Sequence, residues 1–168
     1  DGSHGHQEPY YDADLGDILS FWERVKDHCD TSSSPDVNPE QPMDVFFVNN
    51  GDFVHGTGLS QMIDGQNDPS ALVPLLEKMP YDAVNVGNHE LYSKKNIQYM
   101  TQPGGYVDWW GDRYLTSNIH KTTTQDSHGT GTVMHNKEPL GNRYKILHGT
   151  NGGTKLLTFG FLYNMRDY

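Results

Sequence analysis

Apolar positions along this chain fall into two rhythms. From Asp14 onward, Leu15, Ile18, Phe21 or Trp22, and Val25 recur at spacings of three and four, with Glu23, Arg24, Lys26 and Asp27 turned away. That period predicts an amphipathic helix of about 15 residues whose apolar stripe lies on a sheet. Met43 to Asn49, interrupted only by Asp44 and closing on Asn49, is instead apolar on both faces, which predicts a strand covered on both sides. Residues 82 to 87 form a second candidate strand. Between the two, Ser70 to Met79 reads as a helix with Leu72, Leu75, Leu76 and Met79 on one face. Ser70 is placed to cap it, Pro74 falls at the end of its first turn, and Pro80 stops it. Strand, helix and strand in this order predict a βαβ unit with parallel strands and a right-handed crossover.

The remaining stretches are read the same way. The opening 17 residues, polar and glycine-rich, predict a loop, as does the proline-broken segment Thr31 to Pro42. Leu59 to Asp64 is a candidate helical turn, and Ser93 to Thr101 a short helix broken by Gly104 and Gly105. Tyr106, Trp109 and Trp110 read as packing aromatics, with sugar or base stacking as the alternative. Arg113 to Ile119 predicts a third strand. Lys121 to Asn136 has no apolar period and is expected to be an exposed loop, with His128 and His135 solvated. Tyr144 to His148 and Lys155 to Leu162 alternate around GTNGG and predict a hairpin.

Composition narrows what this α/β pattern can do. The 168 residues suit one domain of ordinary size, and 34% hydrophobic content with 18 Gly and 9 Pro indicates a loop-rich globular chain. No stretch approaches the ~18 apolar residues of a membrane span, so none is expected. A net charge of −10 argues against nucleic acid or an anionic membrane as partner, because both are polyanions. A chain this acidic needs cations at any site that handles phosphate. Cys29 stands alone, so no disulfide forms within these residues. The chain starts at Asp1 without an initiator Met or signal peptide, which reads as a processed, trimmed or partial product. Gly2, Ser3 and His4 are open to two readings, an expression-tag remnant or the rim of a site.

Candidate chemistry sits where the two predicted parallel strands end. The first closes on Gly51 and Asp52, the second on Gly87, Asn88, His89 and Glu90. Strands of an α/β sheet deliver such residues to one rim, so these blocks can meet despite their separation in sequence. An Asn oxygen is a hard neutral ligand for a divalent cation, and an adjacent His can bond a phosphoryl oxygen or protonate a departing alkoxide. Gly51, Gly56 and Gly58 would let the backbone turn tightly. Glu90 either orients its neighbours or serves as an ordinary carboxylate at the start of a helix.

GNHE after a strand, with Gly51-Asp52 followed by Gly56 and Gly58 after the strand before it, resembles the calcineurin-like metallophosphoesterases. GHQEPYYDADLGDILSF and TKLLTFGFLYN are similar to segments of the fungal 5′-nucleotidase-like branch, so the resemblance covers nearly the whole chain. It implies a four-layer αββα sandwich, incomplete here, with residues 1–168 as the N-terminal part of one catalytic domain and no second domain. It implies two divalent metal ions, Zn, Mn, Fe or Mg, with Asp52 as bridging carboxylate, Asn88 as ligand and His89 as catalytic residue. Two cations roughly 3.5 to 4 Å apart need a shared anion of this kind, and the water between them attacks phosphorus. The family pattern also has an Asp-x-His pair upstream and Gly-His and Gly-His-x-His blocks downstream. This sequence has neither, since one residue too many separates Asp1 from His4, and it has Thr57 where the pattern places an Asn near Gly58.

The expected activity is metal-dependent hydrolysis of a phosphoester, as in 5′-nucleotidases. Expected partners are a small phosphorylated substrate, a nucleotide among the candidates, and the remainder of the same catalytic domain. The location implied is secreted, cell-surface or vacuolar. Two other classes stay open: a catalytically degenerate binding module on the same fold, and a secreted carbohydrate-contacting domain hinted at by Trp109 and Trp110.

Overall fold

Asp14 starts the first helix. Its Oδ1 accepts the N–H groups of Gly16 at 2.7 Å and Asp17 at 3.0 Å, while Asp17 Oδ2 accepts the Asp14 N–H at 3.0 Å. This reciprocal cap satisfies donors that the helix cannot pair internally. The helix, α1 (Leu15–Cys29), has the length expected from the sequence, 15 residues. The structure is a computed structural model that describes residues 14–29, 43–54, 73–92, 94–126 and 133–163, with backbone alone along 122–126 and 133–137. The expectations for the opening loop before Asp14, for 31–42, for Leu59–Asp64, and for Gly56, Thr57, Gly58, Ser70, Leu72 and His128 lie outside the described residues.

Two compact units are present, Asp1–Val45 with Thr150–Gly152, and Phe46–Gly149 with Gly153–Tyr168. In the first, the less exposed stripe of α1 runs through Leu15, Leu19, Trp22, Val25 and Cys29. The expected stripe is thus corrected at Ile18, which is exposed, and of the alternatives Phe21 and Trp22 it is Trp22 that lies in the stripe while Phe21 is exposed. Asp44 belongs to the same unit, where its Oδ1 accepts the N–H groups of Asn151 and Gly152, both at 2.8 Å.

The second unit is built on a three-stranded parallel sheet in the order β1 (Val48–Asn49), β2 (Ala83–Asn85) and β3 (Tyr114–Leu115). Val48 pairs with Ala83, and Val84 with Tyr114, in parallel register. The short helix α2 (Val73–Leu76) lies in the connection from β1 to β2, so the βαβ order read from the sequence holds. Its details differ. Val73, Leu76 and Met79 are buried, while Leu75 is exposed. The first strand covers two residues rather than seven, and Val48 is 54% exposed, so the expected burial on both faces is not met there.

The central strand is the buried one: Ala83, Val84 and Val86 are sealed, and Ala83 packs with Leu115, Leu147 and Phe46. Tyr81 anchors a second cluster, with ring centroids 4.5 Å from Phe47 and 5.8 Å from Trp110. Arg113 covers Trp110 with its guanidinium 4.9 Å from the ring centroid. The short helix expected before the glycines is α3 (Lys94–Thr101), and α4 (Tyr106–Trp110) follows it. Tyr106 and Trp110 are buried as expected of packing aromatics, whereas Trp109 is not.

The last region contains one clear departure from the sequence reading. β4 (His120–Asp126) and β5 (Val133–Pro139) form an antiparallel pair where an exposed loop was expected. Thr122, Thr123 and Thr124 are β-branched and favour extended backbone, and ladder hydrogen bonds do not require an apolar alternation. The expected final hairpin is present as β6 (Tyr144–His148) and β7 (Lys155–Phe159), with Tyr144 opposite Phe159. Chain beyond β7 continues alongside 117–118, where the Ser117 N–H donates to the Gly160 carbonyl at 2.6 Å and Asn118 Oδ1 accepts the Leu162 N–H at 3.0 Å.

Candidate active site

Both candidate blocks lie at the ends of adjacent parallel strands. After β1 the backbone turns through Gly51 at φ +89° and Asp52 at φ +59°. Asp52 therefore holds a left-handed conformation that Asp tolerates better than most residues but that still costs about 1 kcal/mol. After β2 the chain passes Gly87 and Asn88 into a 3₁₀ turn, His89–Leu91.

The two turns touch through their backbones. A Cβ on Gly51 would stand 2.1 Å from the Gly87 nitrogen, and a Cβ on Gly87 would stand 2.1 Å from Asp52 Oδ1. Only glycine leaves room at either position.

Glu90 is the residue that closes the turns on one another. It is 1% exposed, and its carboxylate accepts four backbone N–H groups. Oε2 takes those of Asp52 at 2.9 Å and Gly87 at 2.8 Å; Oε1 takes those of Phe53 at 2.5 Å and Val54 at 3.3 Å. Successive N–H groups pointing into a turn need a shared acceptor, and a buried carboxylate needs as many donors as it can find. Each satisfies the other. Of the two readings of Glu90 open in the sequence, neither anticipated this role. The signal that could have found it is backbone accounting, because the segment Asp52 to Val54 after β1 has several N–H groups that no sheet ladder pairs.

In return, Asp52 Oδ1 accepts the His89 N–H at 3.0 Å. This fixes the Asp52 carboxylate at the opening of the 3₁₀ turn, one residue from Asn88. Asp52 itself is exposed, and its other carboxylate oxygen meets no donor among the described residues. Asn88 forms no side-chain cap on the turn; its Nδ2 donates to the Tyr92 hydroxyl. The His89 imidazole is partly exposed and lies against the Tyr92 ring, with centroids 5.0 Å apart. The structure thus brings Asp52, Asn88 and His89 to one rim, as the sequence predicts.

The donor chemistry suits a hard divalent cation in kind: one carboxylate and one carboxamide oxygen, on a scaffold held by backbone hydrogen bonds. In number it is incomplete, since no group of three or more His, Cys, Asp or Glu residues close enough to hold a metal occurs among the described residues. His120 and His148 are exposed.

Behind the site, Tyr106 and Tyr114 are buried with their rings edge to face, 5.5 Å apart. Burial raises the pKa of both phenols, and the negative Glu90 nearby raises them further. They remain neutral at any physiological pH.

Comparison with known proteins agrees with this geometry. The family described as calcineurin-like phosphoesterase matches residues 6–165. A protein of Arthroderma benhamiae called a secreted protein is 28% identical over 163 residues, covering 95% of this chain and 21% of its own length. An uncharacterized protein of Schizosaccharomyces pombe is 28% identical over 167 residues, covering 95% of this chain and 23% of its own. Among solved structures, the 5′-nucleotidase of Candida albicans superposes with a TM-score of 0.68 at 24% identity, over 93% of this chain and 25% of that one. That likeness shows the fold, the α/β sandwich of the metallophosphoesterases. The chain spans about a quarter of the length of the relatives it matches.

Proposed function

The chain belongs to the calcineurin-like phosphoesterase family, and on that premise we propose that it forms part of a metal-dependent phosphoester hydrolase in which Asp52 and Asn88 hold metal and His89 acts on the substrate. The observation that carries this reading is the reciprocal pairing of the two turns, Glu90 to the Asp52 N–H and Asp52 to the His89 N–H. It supports the reading because a carboxylate, a carboxamide and an imidazole, Asp52, Asn88 and His89, then lie together at one rim of the sheet.

Divalent ions held by Asp52 and Asn88 would supply positive charge to the phosphoryl oxygens and make a water more acidic. The chain's own residues do the rest. Asp52 lends an oxygen while its backbone is held by Glu90, so the donor does not reorganise when charge develops. His89, braced by Tyr92, is placed to donate a hydrogen bond to a phosphoryl oxygen or a proton to the departing alkoxide. The fold neighbour is a 5′-nucleotidase, which favours a small phosphorylated substrate, a nucleotide among them. We further propose that residues 1–168 belong to one catalytic domain, and that the protein works outside the cytoplasm, as the name of the Arthroderma relative suggests. No helix among the described residues is long and apolar enough to cross a membrane.

The test is metal content of the intact protein. Asp52→Ala is expected to lose at least one equivalent of bound metal, while Glu77→Ala, a carboxylate removed from the helical connection before β2, is expected to lose none. Equal metal in both variants would remove Asp52 from the ligand set.

A further inference from the structure

The turn that joins β6 to β7 carries Asn151 followed by Gly152. Asp44 Oδ1 accepts the backbone N–H of both residues at 2.8 Å. The Asn151 carboxamide is held as well: its Nδ2 donates to the carbonyl oxygens of Cys29, the last residue of α1, and of Met43, each at 3.1 Å. The final carbonyls of a helix have no partner within it, so this one side chain both satisfies the end of α1 and ties it to Met43. All of these groups belong to the first compact unit.

An Asn followed by Gly is chemically labile, because glycine has no side chain to keep its nitrogen away from the preceding carboxamide. When the Gly152 nitrogen attacks Asn151 Cγ, the N–Cγ bond forms, the Cγ–Nδ2 bond breaks, and ammonia leaves with the amide proton. Water then opens the succinimide at either carbonyl, giving aspartate or isoaspartate.

We infer that Asn151–Gly152 is a deamidation site that Asp44 holds unreactive in the folded chain, and whose reaction irreversibly unties the end of α1 from Met43. Two successive N–H groups converge on one oxygen where the backbone between them is curled. In that curl the Gly152 nitrogen is committed to Asp44 through its proton, and Nδ2, the leaving group, is fixed by two acceptors. The nitrogen must release Asp44 before it can turn on Cγ. Once the reaction has run, the side chain carries only oxygens, which have no proton to give the Cys29 and Met43 carbonyls, so the tie cannot reform. A second such pair, Asn50–Gly51, lies in the other unit, where the Gly51 N–H donates to Asn49 Oδ1 at 2.8 Å. It provides an internal control.

The test is the rate of deamidation of the intact protein at neutral pH, followed by tandem mass spectrometry and isoaspartyl methyltransferase labelling beside a synthetic peptide of residues 146–155. Asn151 in the folded protein is expected to react at least about fivefold more slowly than in the peptide, and Asp44→Ala to speed it about five- to a hundredfold, the range that two net hydrogen bonds span. Asn50 is expected to keep its rate. Should Asp44→Ala fail to fold, Asp44→Asn keeps an oxygen without the charge and is expected to speed Asn151 about threefold. A folded protein that reacts as fast as the peptide overturns the inference whatever the variants do, and one that reacts faster makes Asp44 a base for the attack. An Asp44→Asn rate that is unchanged, or raised equally at both pairs, overturns it too. Asn151→Asp stands for one product and is expected to speed amide hydrogen exchange in the last turn of α1 by about threefold or more. Unchanged exchange there would show that the reaction unties nothing.

Discussion

Glu90 and Asp52, 38 positions apart, hold one another's turns: the Glu90 carboxylate accepts the Asp52 N–H at 2.9 Å, and the Asp52 carboxylate accepts the N–H of Glu90's neighbour His89 at 3.0 Å. Two carboxylates so close would repel if both faced the same space. Here each is turned onto backbone donors, which neutralises part of its charge and leaves one oxygen of Asp52 without a donor among the described residues.

The first prediction follows from how the Glu90 oxygens are shared. Each accepts two N–H groups, so Glu90→Gln keeps the shape but turns an NH₂ group onto two donors. The substitution is expected to cost about 2 to 4 kcal/mol, as for breaking a buried charged network. Urea denaturation of the variant beside Glu77→Gln checks it. A loss below half a kilocalorie per mole would show that the four bonds do not hold the turns together.

Gly87 provides a second test of the same contact. An added methyl group would stand 2.1 Å from Asp52 Oδ1 and 2.6 Å from Glu90 Oε2. Gly87→Ala must push the turns apart, an overpacking strain of roughly 1 to 3 kcal/mol or more. Metal content should fall along with stability, because Asp52 moves. If the variant retains full metal content, the close approach is incidental to the site.

The way the site is held explains which parts of it could be read from the sequence. That Asp52, Asn88 and His89 lie together at one rim is legible because a strand pattern ending in glycine and polar residues is a local signal, and the two blocks come in the expected order. Glu90's partners are backbone amides, which leave no trace in residue type. The same contrast holds for the fold. α1 and the β6–β7 hairpin were legible from period and turn chemistry, and β2 from its sealed apolar run. β4 and β5 were missed because Thr-rich strands satisfy a ladder through backbone pairing rather than apolar alternation. β1 is shorter than its sequence pattern because the run from Met43 is largely apolar without being paired along its whole length.

The buried phenols predict behaviour at high pH. Tyr106 and Tyr114 have folded-state pKa values raised above the ordinary 10.0, chiefly by burial, with each other's proximity and the negative Glu90 as lesser influences. The folded state therefore binds these protons more tightly than the unfolded chain. Their contribution to stability is complete below about pH 10 and is lost as pH rises from there toward the folded-state values. Tyrosinate absorbance near 295 nm should appear for the buried pair only together with loss of the near-ultraviolet circular dichroism signal. Titration of every tyrosine before unfolding would contradict the burial argument.

His89 carries a kinetic prediction. As a group that bonds phosphate or protonates the leaving oxygen, it should contribute about 10² to 10⁴ in turnover. His89→Asn in the intact protein is expected to show a loss in that range while most bound metal remains. Metal lost in proportion to activity would make His89 a ligand instead.

Residues 1 to 168 expressed alone are expected to turn over far more slowly than the intact protein, even with excess Mn²⁺ or Zn²⁺. The described site offers one carboxylate and one carboxamide, whereas two divalent ions with roughly four to six ligands each need several more donors. Water can fill some of those positions, but it brings neither the negative charge of a carboxylate nor the fixed geometry of an imidazole, so affinity at such a site falls steeply. The same unit also exposes Val48, Leu157, Phe159 and Phe161, an amount of apolar surface that favours self-association. Hydrolysis of a generic phosphate ester, measured beside light scattering of the same sample, tests both consequences. Turnover equal to that of the intact protein would overturn the donor count and direct the search for further ligands to His4, His6, His120, His128, His135 and His148.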